Sequence, residues 1–353
     1  MERQSLLRFP KAFTILELLT VIVVLIVLAG LFLPTVRTSR EAARRMQCSN
    51  NLKQLQLAVL EYESAHRRLP NCTGGTGRAS SDKLGNANRL SGFVTLLPFL
   101  GELAIWEQVD SELEVNGTVY PPMGPAPWVA DYPPWKNSFR TMICPSNESI
   151  HSSSCSYAFS IADAVRNIYA IPKPRGAFAP SHYVRLSNIP DGTRNTLSIL
   201  EIGLDHGRQI VGHAAILDPP SFLDKPSLCL SSSSKNVYSS DIILLEHGRG
   251  SRWADGAAIF TLANSILPPN APSCASSPAE DADGIYTSGS HHTGGANVAM
   301  LDGSVQFISE SIDTGDLNNP VPVGSLENTS IPSPFGVWGA LGTAQGMESL
   351  ADR

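Results

Sequence analysis

The chain has 353 residues, of which 42% are hydrophobic and 16% are charged. This length suits about two domains of ordinary size, and the apolar content is sufficient for a buried core, which excludes wholesale disorder. With 26 Lys and Arg against 32 Asp and Glu, the net charge is −6, so no overall basic surface is present that would favour nucleic acid as a partner.

The first predicted element is an apolar helix near the N terminus. Residues 13–33 include one charged residue, Glu17, and a helix of this length measures about 31 Å, the thickness of a bilayer core. A helix that is apolar on every face is seldom a buried core helix. A secretory signal peptide would have an apolar region of only about 7–15 residues, followed by a cleavage site. The pattern therefore predicts a membrane span at 13–33.

The helical pattern continues beyond the predicted span. No helix breaker occurs over residues 35–69, so we expect one continuous anchor helix at 13–68, about half of it in lipid. Apolar residues on its second half recur at steps of three or four, namely Leu52, Leu55, Val59 and Tyr62. The count of Lys and Arg flanking the span favours a cytoplasmic C-terminal side, whereas the leader and the cysteine usage indicate the opposite orientation.

The leader carries a resemblance to a known class of proteins. The segment KAFTILELLTVIVVLIVLAGLFLP resembles the N terminus of type IV prepilins and pseudopilins, in which a prepilin peptidase cuts before a Phe and methylates the new amine. The resemblance implies a leader at 1–12, processing between Ala12 and Phe13, and an assembly role for Glu17 as the fifth mature residue. The chain departs from that pattern at Ala12, where those proteins nearly always have Gly.

The remainder of the chain, 69–353, is predicted to form the head. A crossing loop rich in Gly, Ser and Asn occupies 69–92, and irregular insertions are expected at 116–138 and 221–240,. Short strand-like runs separated by Pro and Gly turns follow, among them Ser198–Ile202, Ile242–Leu245 and Asn297–Leu301,. We therefore predict an α+β fold of pilin-like plan, with a long N-terminal helix packed on an antiparallel sheet.

A C-terminal hairpin is predicted at 291–308. Two strand-forming runs, NVAML and SVQFI, flank Asp302-Gly303, and Asp-Gly favours a two-residue type I′ turn. His292 is expected to cap the preceding bend or to hydrogen-bond across the hairpin. The other interpretation is a metal or ligand site that uses His291, His292 and Asp302, although adjacent residues of a strand point to opposite faces.

A second polar stretch, DGTRNT from Asp191, precedes Glu201. Its oxygen atoms suit calcium, although the spacing does not match an EF-hand loop. The simpler interpretation is a turn followed by a strand, with Glu201 paired to an arginine. No cofactor is predicted, and calcium is the one candidate that these residues leave open.

The six cysteines are interpreted as disulfide partners in an oxidising compartment, because the sequence contains no Cys-x-x-Cys pair,. Cys144 and Cys155 lie eleven residues apart, and Cys229 and Cys274 bracket a segment of turns. We expect these two pairs to form. Cys48, on the anchor helix, either stays free or meets another subunit. The alternative is six free thiols in a cytosolic fold.

Several blocks resemble the DUF1559 family of bacterial pseudopilin-like proteins, whose function is unknown. They include REAARRMQCSNNLKQLQLAVLEYESAHRRLP, FVTLLPFLGELAIWE, MICPSNES and HHTGGANVAMLDGSVQFISESID. The last contains a His-x9-Asp-Gly signature formed by His292, Asp302 and Gly303. The resemblance implies a single-pass protein of the bacterial inner membrane, with its N terminus cytoplasmic before processing and its head periplasmic or extracellular.

The sequence therefore predicts a non-enzymatic, membrane-anchored structural subunit of a pilus-like or type II secretion-like assembly. Its expected partners are the prepilin peptidase, other pilin-like subunits and the inner membrane, and nucleic acid is not among them. The alternative is a solitary anchored protein that binds a solute or glycan. Five tryptophans are candidate stacking platforms for that role: Trp106, Trp128, Trp135, Trp253 and Trp338.

Overall fold

A single helix, α1 (Ile15–His66), forms the first part of the fold. The structure, a computed structural model, describes residues 14–136, 138–147, 152–170, 174–180, 182–204, 207–322 and 330–347, without the side chains of 28–38. The chain separates into two units, 1–44 and 45–353, and the boundary lies within α1. The observed limits of α1 are close to the predicted 13–68.

The described ranges contain seven α-helices and fifteen strands. The helices after α1 are α2 (Gly92–Leu96), α3 (Leu103–Asp110), α4 (Pro133–Lys136), α5 (Ser227–Leu230), α6 (Ala258–Thr261) and α7 (Gly336–Gly342). The strands are β1 (Thr73–Gly74), β2 (Leu90–Ser91), β3 (Leu113–Val115), β4 (Thr118–Tyr120), β5 (Tyr157–Ser160), β6 (Leu197–Glu201), β7 (Ala214–Ile216), β8 (Ser233–Ser234), β9 (Val237–Tyr238), β10 (Ile243–Leu244), β11 (Leu262–Ala263), β12 (Ser273–Ala275), β13 (Gly284–Ile285), β14 (Gly295–Met300) and β15 (Val305–Ser309).

In the first unit, the described side chains of α1 are exposed from residue 15 to residue 27. Eleven of them are large and apolar, with exposed fractions from 45% to 81%. Among the described residues, no helix has the length and apolarity needed to cross a membrane. The predicted span at 13–33 includes Phe13 and the side chains of 28–33, which lie outside the described part of the chain.

In the second unit, α1 packs one face into the head. Its buried residues include Cys48, Leu52, Leu55, Val59 and Tyr62. The steps of four, three, four and three residues keep these side chains on one face of the helix. They belong to the largest core cluster, together with Phe93, Tyr157, Phe159 and Trp253. The head therefore includes α1 from residue 45 onwards.

A five-stranded sheet, ordered β11-β5-β6-β14-β15, lies at the centre of the head. Residues of its central strands alternate between two core clusters. Tyr157, Phe159 and Ile199 join the cluster of α1, whereas Leu197, Leu200 and Val298 join the cluster of Trp338 on α7. The strands β5, β6 and β14 are therefore buried on both faces of the sheet, whereas the edge strand β15 is partly exposed.

The predicted antiparallel sheet is confirmed only in part, because β5-β6, β6-β14 and β14-β15 pair antiparallel while other pairs are parallel. Strand β11 pairs parallel to β5, and in a second sheet, ordered β10-β7-β12-β13, strand β12 pairs parallel to β7. Three two-stranded pairs, β1-β2, β3-β4 and β8-β9, complete the sheets. Parallel pairing requires long connections, and the chain between these strands, which includes other strands and helices, provides them. The fold remains α+β, with mixed sheets.

Two disulfides tie distant parts of the head together. Cys229 bonds to Cys274, the pair expected from their spacing, with a Cα–Cα distance of 5.9 Å. The expected Cys144–Cys155 bond is absent, because Cys144 bonds to Cys48, 96 residues away along the chain. Cys155 instead stays a buried thiol that donates to the carbonyl of Tyr157 at 3.1 Å. Spacing along the sequence did not predict this pairing, because the packing of α1 on the head brings Cys48 next to Cys144.

We expect two free thiols per chain under denaturing conditions without reductant, and six after reduction, measured by alkylation and mass spectrometry. The two should be Cys72 and Cys155. Burial raises the pKa of Cys155 to about 12 and raises that of Cys72 even further, so both should resist alkylation in the native chain, since the thiolate is the nucleophile. Peptides that carry alkylated Cys48 or Cys144 before reduction would contradict the observed pairing.

Candidate functional site

Four buried side chains from distant parts of the chain meet beneath α1. They are Cys48 of α1, Cys144 in the loop before β5, Glu201 at the end of β6, and His292 just before β14. One ligand atom from each lies within 4.8 Å of the others. We call this group the disulfide–histidine centre. It brings together His292 of the signature, Glu201, which follows the Asp191 stretch, and two of the cysteines.

The Glu201 carboxylate is the polar core of the disulfide–histidine centre. Its Oε1 lies 3.3 Å from Nε2 of His292, and its Oε2 accepts from the backbone and side-chain N–H groups of Asn297 at 3.0 and 2.9 Å. Nε2 of His292 also lies 3.6 Å from Sγ of Cys144. Both Glu201 and His292 have side chains that are 1% exposed. The two Asn297 donors at Oε2 offset part of the cost of burying this carboxylate, whereas Oε1 has no hydrogen bond among the described residues and faces the His292 ring.

Further hydrogen bonds tie α1 to the loop and sheet around this centre. The hydroxyl of Tyr157 donates to the carbonyl of Cys48 at 3.2 Å, and Nδ2 of Asn51 donates to the carbonyl of Ile143 at 2.8 Å. Burial, and then the charge of Glu201, raise the pKa of Tyr157 well above its usual value. The phenol therefore stays protonated and remains a donor.

The Asp302-Gly303 turn differs from the predicted type I′ turn. Met300 N donates to Ser304 O at 2.9 Å, and Gly303 N donates to Met300 O at 3.0 Å. Gly303 has a φ of 92°, whereas Asp302 is not among the residues of positive φ. The connection therefore has three residues, a type I turn followed by a glycine bulge. The pairing register of β14 with β15 requires this extra residue.

This turn docks on both α1 and the Asp191 stretch. Nε2 of Gln56 donates to Leu301 O at 3.3 Å, and Nζ of Lys53 donates to Gly303 O. On the other side, the N–H groups of Leu301 and Asp302 donate to the carbonyls of Thr196 and Thr193, both at 3.0 Å. The hairpin therefore connects two segments that the sequence analysis treated as separate motifs.

The carboxylate of Asp302 stays at the surface and stabilises its own turn. It accepts from the N–H and the hydroxyl of Ser304 at 2.8 and 2.7 Å. Partial burial alone would raise the pKa of Asp302, but these hydrogen bonds and the charges of Arg194 and Lys53 lower it below its usual value. Asp302 acts in the turn and is not part of the disulfide–histidine centre.

The remaining metal candidates do not converge. Asp191 accepts from the N–H groups of Gly346 and Met347 at 2.9 and 2.8 Å, so its carboxylate holds the C-terminal segment. Glu201 pairs with His292 and Asn297, so the expected pairing with an arginine is wrong. Among the described residues, the disulfide–histidine centre is the one group with the donors for a metal ion, and it does not include His291. Its two sulfur atoms are joined to each other, so they are not thiolate ligands.

Ala12 and Phe13, the predicted processing residues, lie outside the described residues. Glu17 lies in the first turn of α1. Of the tryptophans, three are buried in the core and two are half-buried, namely Trp135, Trp253 and Trp338 in the first group and Trp106 and Trp128 in the second. The buried three cannot stack on a ligand.

Sequence reasoning missed several residues that position the site. Asn51, Lys53, Gln56 and Tyr157 each donate across a long sequence separation, and no motif identifies them. One signal was available for Cys48. It lies four residues before Leu52, in step with the apolar face of α1, and this periodicity indicates a buried position facing the head.

With this geometry described, the chain can be compared with known proteins. The model of a family described as a protein of unknown function (DUF1559) matches residues 37–315. This chain belongs to the DUF1559 family. No curated protein and no solved structure matches it. The family match includes all four residues of the disulfide–histidine centre and the Asp302-Gly303 turn.

We expect strong coupling between Glu201 and His292 in a double-mutant cycle. His292→Leu alone should lower the free energy of unfolding by about 3 kcal/mol, because it leaves a buried carboxylate without its main partner. The double variant with Glu201→Leu should be more stable than the sum of the single effects implies, by about 1 kcal/mol or more. Denaturant unfolding of the disulfide-intact chain measures this. Additive effects would show that the pair is not coupled.

Gly303→Val should lower the free energy of unfolding by about 1–2 kcal/mol, because a β-branched residue is strained at positive φ. A Cβ there would meet only Leu60 and Lys53 at 3.4 and 3.8 Å, so the cost comes from the backbone. Gly303→Asn is the matched control and should cost less, since Asn tolerates this conformation. Asp302→Asn should change stability by less than about 0.5 kcal/mol. A large loss in Asp302→Asn would instead assign a role to the charge.

Proposed function

We propose that the chain is a membrane-anchored, pilin-like structural subunit whose head lies outside the cytoplasm. The N-terminal part of α1 would insert into the inner membrane and pack against other copies or other pilin-like subunits, in a pilus-like or type II secretion-like assembly. A prepilin peptidase would process the chain between Ala12 and Phe13 and methylate the new amine. The head would then present an interaction surface, without catalysing a reaction.

The supporting observation is the apolar exposure of α1. From Ile15 to Val27, every described residue except Glu17 and Thr20 is a large aliphatic side chain, and all of these are exposed. Each such side chain gains about 1.5–3 kcal/mol when it leaves water. A helical surface of this kind, apolar on all sides, is favourable only in lipid or against other apolar helices.

Glu17 is the one charge in this apolar stretch, and its described contacts show what competes for it. Its Oε2 accepts from the N–H and the hydroxyl of Thr14 at 2.9 and 2.8 Å, while its own N–H donates to Thr14 Oγ1 at 3.3 Å. This reciprocal arrangement is a capping box at the start of α1. In the proposal, cleavage creates an amine at Phe13, one helical turn away, which competes for the same carboxylate within the chain or from a neighbouring subunit.

Two substitutions separate these roles of Glu17. Glu17→Leu removes both the cap and the charge, whereas Glu17→Gln keeps a capping side chain but removes the charge. We expect both variants to insert and to be cleaved. Both should lose roughly tenfold or more of the inter-subunit crosslinking, because the amine at Phe13 would be buried without the Glu17 carboxylate as its partner, which costs a few kcal/mol. Membrane fractionation, N-terminal mass determination and crosslinking in cells measure the three properties.

The outcomes are distinct. If Glu17→Gln crosslinks like the parent and Glu17→Leu does not, the carboxylate acts as a helix cap and the charge pairing is wrong. If Glu17→Leu also crosslinks like the parent, this support for assembly through Glu17 is lost. A parent chain that gives no crosslinks at all favours the alternative of a solitary anchored protein that binds a solute or glycan.

A further inference from the structure

A pocket of about 190 Å³ opens in the head beside the C-terminal end of α1. Its wall combines Tyr62 of α1, residues of the β1–β2 pair, the start of α2, and Tyr183. All of these lie in the unit 45–353, so the pocket does not depend on the N-terminal half of α1. It is also separate in sequence from the disulfide–histidine centre, with which it shares no lining residue.

The chemistry of the wall selects against charged ligands. No Lys, Arg, Asp, Glu or His lines the pocket. Burial, the largest influence, raises the pKa of Tyr62, so its phenol is neutral at physiological pH. A charged group that enters would lose hydration without gaining a partner among the lining side chains. Arg68 does not line the pocket and its guanidinium lies over the Tyr183 ring, so the occupant should be neutral.

The polar atoms of the wall suit a ligand that both donates and accepts hydrogen bonds. The Ser91 hydroxyl oxygen accepts from Phe93 N at 3.3 Å, which leaves its proton available to donate. The Thr95 hydroxyl donates to Gly92 O at 2.8 Å, which leaves its lone pairs available to accept. Oδ1 of Asn71 is buried and has no hydrogen-bond partner among the described residues. Such an orphan acceptor is costly to the fold, and because the atom is buried, a ligand hydroxyl would satisfy it once the Asn71 amide turns toward the pocket.

Two tyrosine rings, together with Leu90 and Met123, provide the apolar part of the wall. Tyr62 is 7% exposed and stacks on His66 with ring centroids 4.2 Å apart, so its position is fixed. Tyr183 is 51% exposed, and the guanidinium of Arg68 lies 3.6 Å from the centre of its ring. Aromatic rings of this kind pack against the C–H face of a sugar ring while their polar ends stay hydrated.

We propose that this pocket binds one neutral sugar ring, such as the terminal unit of a glycan. The volume corresponds to about six water molecules, which suits a single ring and is too small for a peptide strand. Hydroxyl groups match the mixed donors and acceptors of Ser91, Thr95 and Asn71, and the ring C–H face matches the tyrosines. The proposal goes beyond the structural role above, and it stands whether or not the chains assemble.

The test is a titration of the full chain in a detergent without a sugar headgroup, observed by ligand NMR. The probes are the methyl glycosides of glucose, galactose, mannose and N-acetylglucosamine, with sorbitol as an acyclic control and methyl glucuronide as a charged one. We expect at least one neutral glycoside to bind with a Kd on the order of 1 mM, as a small ligand with few contacts should. Sorbitol and the glucuronide should bind about tenfold more weakly.

Variants locate the binding. A Cβ at Gly74 would meet only Nδ2 of Asn71, at 3.8 Å, so Gly74→Val should fill the pocket while the chain still folds, and should weaken binding by about tenfold or more. Tyr183→Ala should do the same, whereas Tyr183→Phe, which keeps the ring, should bind like the parent. Thermal unfolding checks each variant. If Gly74→Val fails to fold, the exposed Tyr183 pair carries the test.

Three results would overturn the proposal. One is the absence of binding by every neutral glycoside. Another is binding that is unchanged in both Gly74→Val and Tyr183→Ala, which would locate it elsewhere. The third is tighter binding of methyl glucuronide than of the neutral glycosides, which would show that the ligand is anionic. None of these results depends on crosslinking through Glu17, so they leave the proposed assembly untouched.

Discussion

The attachment of α1 to the five-stranded sheet is the constraint on which the head depends. The largest hydrophobic core includes the buried face of α1 from Cys48 to Tyr62 together with residues of the sheet. The Cys48–Cys144 bond closes a loop across 96 positions, and by the chain-entropy model a bridge over such a loop contributes about 4–5 kcal/mol. Without this contact, one face of the sheet would lose its cover.

Buried polar contacts determine how α1 lies on the sheet. Apolar packing alone tolerates sliding and rotation, because many arrangements bury a similar area. Hydrogen bonds from Asn51 and Gln56 to specific carbonyls, and the bond from the Tyr157 hydroxyl to the carbonyl of Cys48, require one placement of the helix. A shift of α1 would leave these groups buried without partners, at a cost of about 1–3 kcal/mol for each. The polar groups therefore supply specificity where the apolar face supplies most of the stability.

The same helix also connects the features with proposed roles. Its first turns carry the exposed apolar residues and Glu17, its middle carries Cys48 and the contacts to the signature hairpin, and Tyr62 near its end lines the pocket. A substitution on α1 therefore has to be interpreted by its position along the helix. The buried tryptophans show the opposite case, because Trp253 and Trp338 serve the core although their residue type suggested a binding surface.

The sequence by itself determined the local features. Periodicity and the absence of breakers identified the long helix, β-branched runs located β6 and β14 to within two residues, and Asp-Gly identified the turn between β14 and β15. The resemblance of several sequence blocks to DUF1559 also agrees with the family match at 37–315. Each of these signals depends on residues that are close together along the chain.

Only the tertiary structure decided the long-range partners. The bond between Cys48 and Cys144, the pairing of Glu201 with His292, the parallel strand pairs and the three-residue form of the turn all depend on how α1, β5, β6 and β14 pack. Spacing favoured Cys144 with Cys155, because a short loop is easier to close. Burial of the apolar face of α1 over the sheet outweighs that preference. The free energy gained by removing this apolar surface from water is larger than the difference in loop-closure entropy between the two pairings.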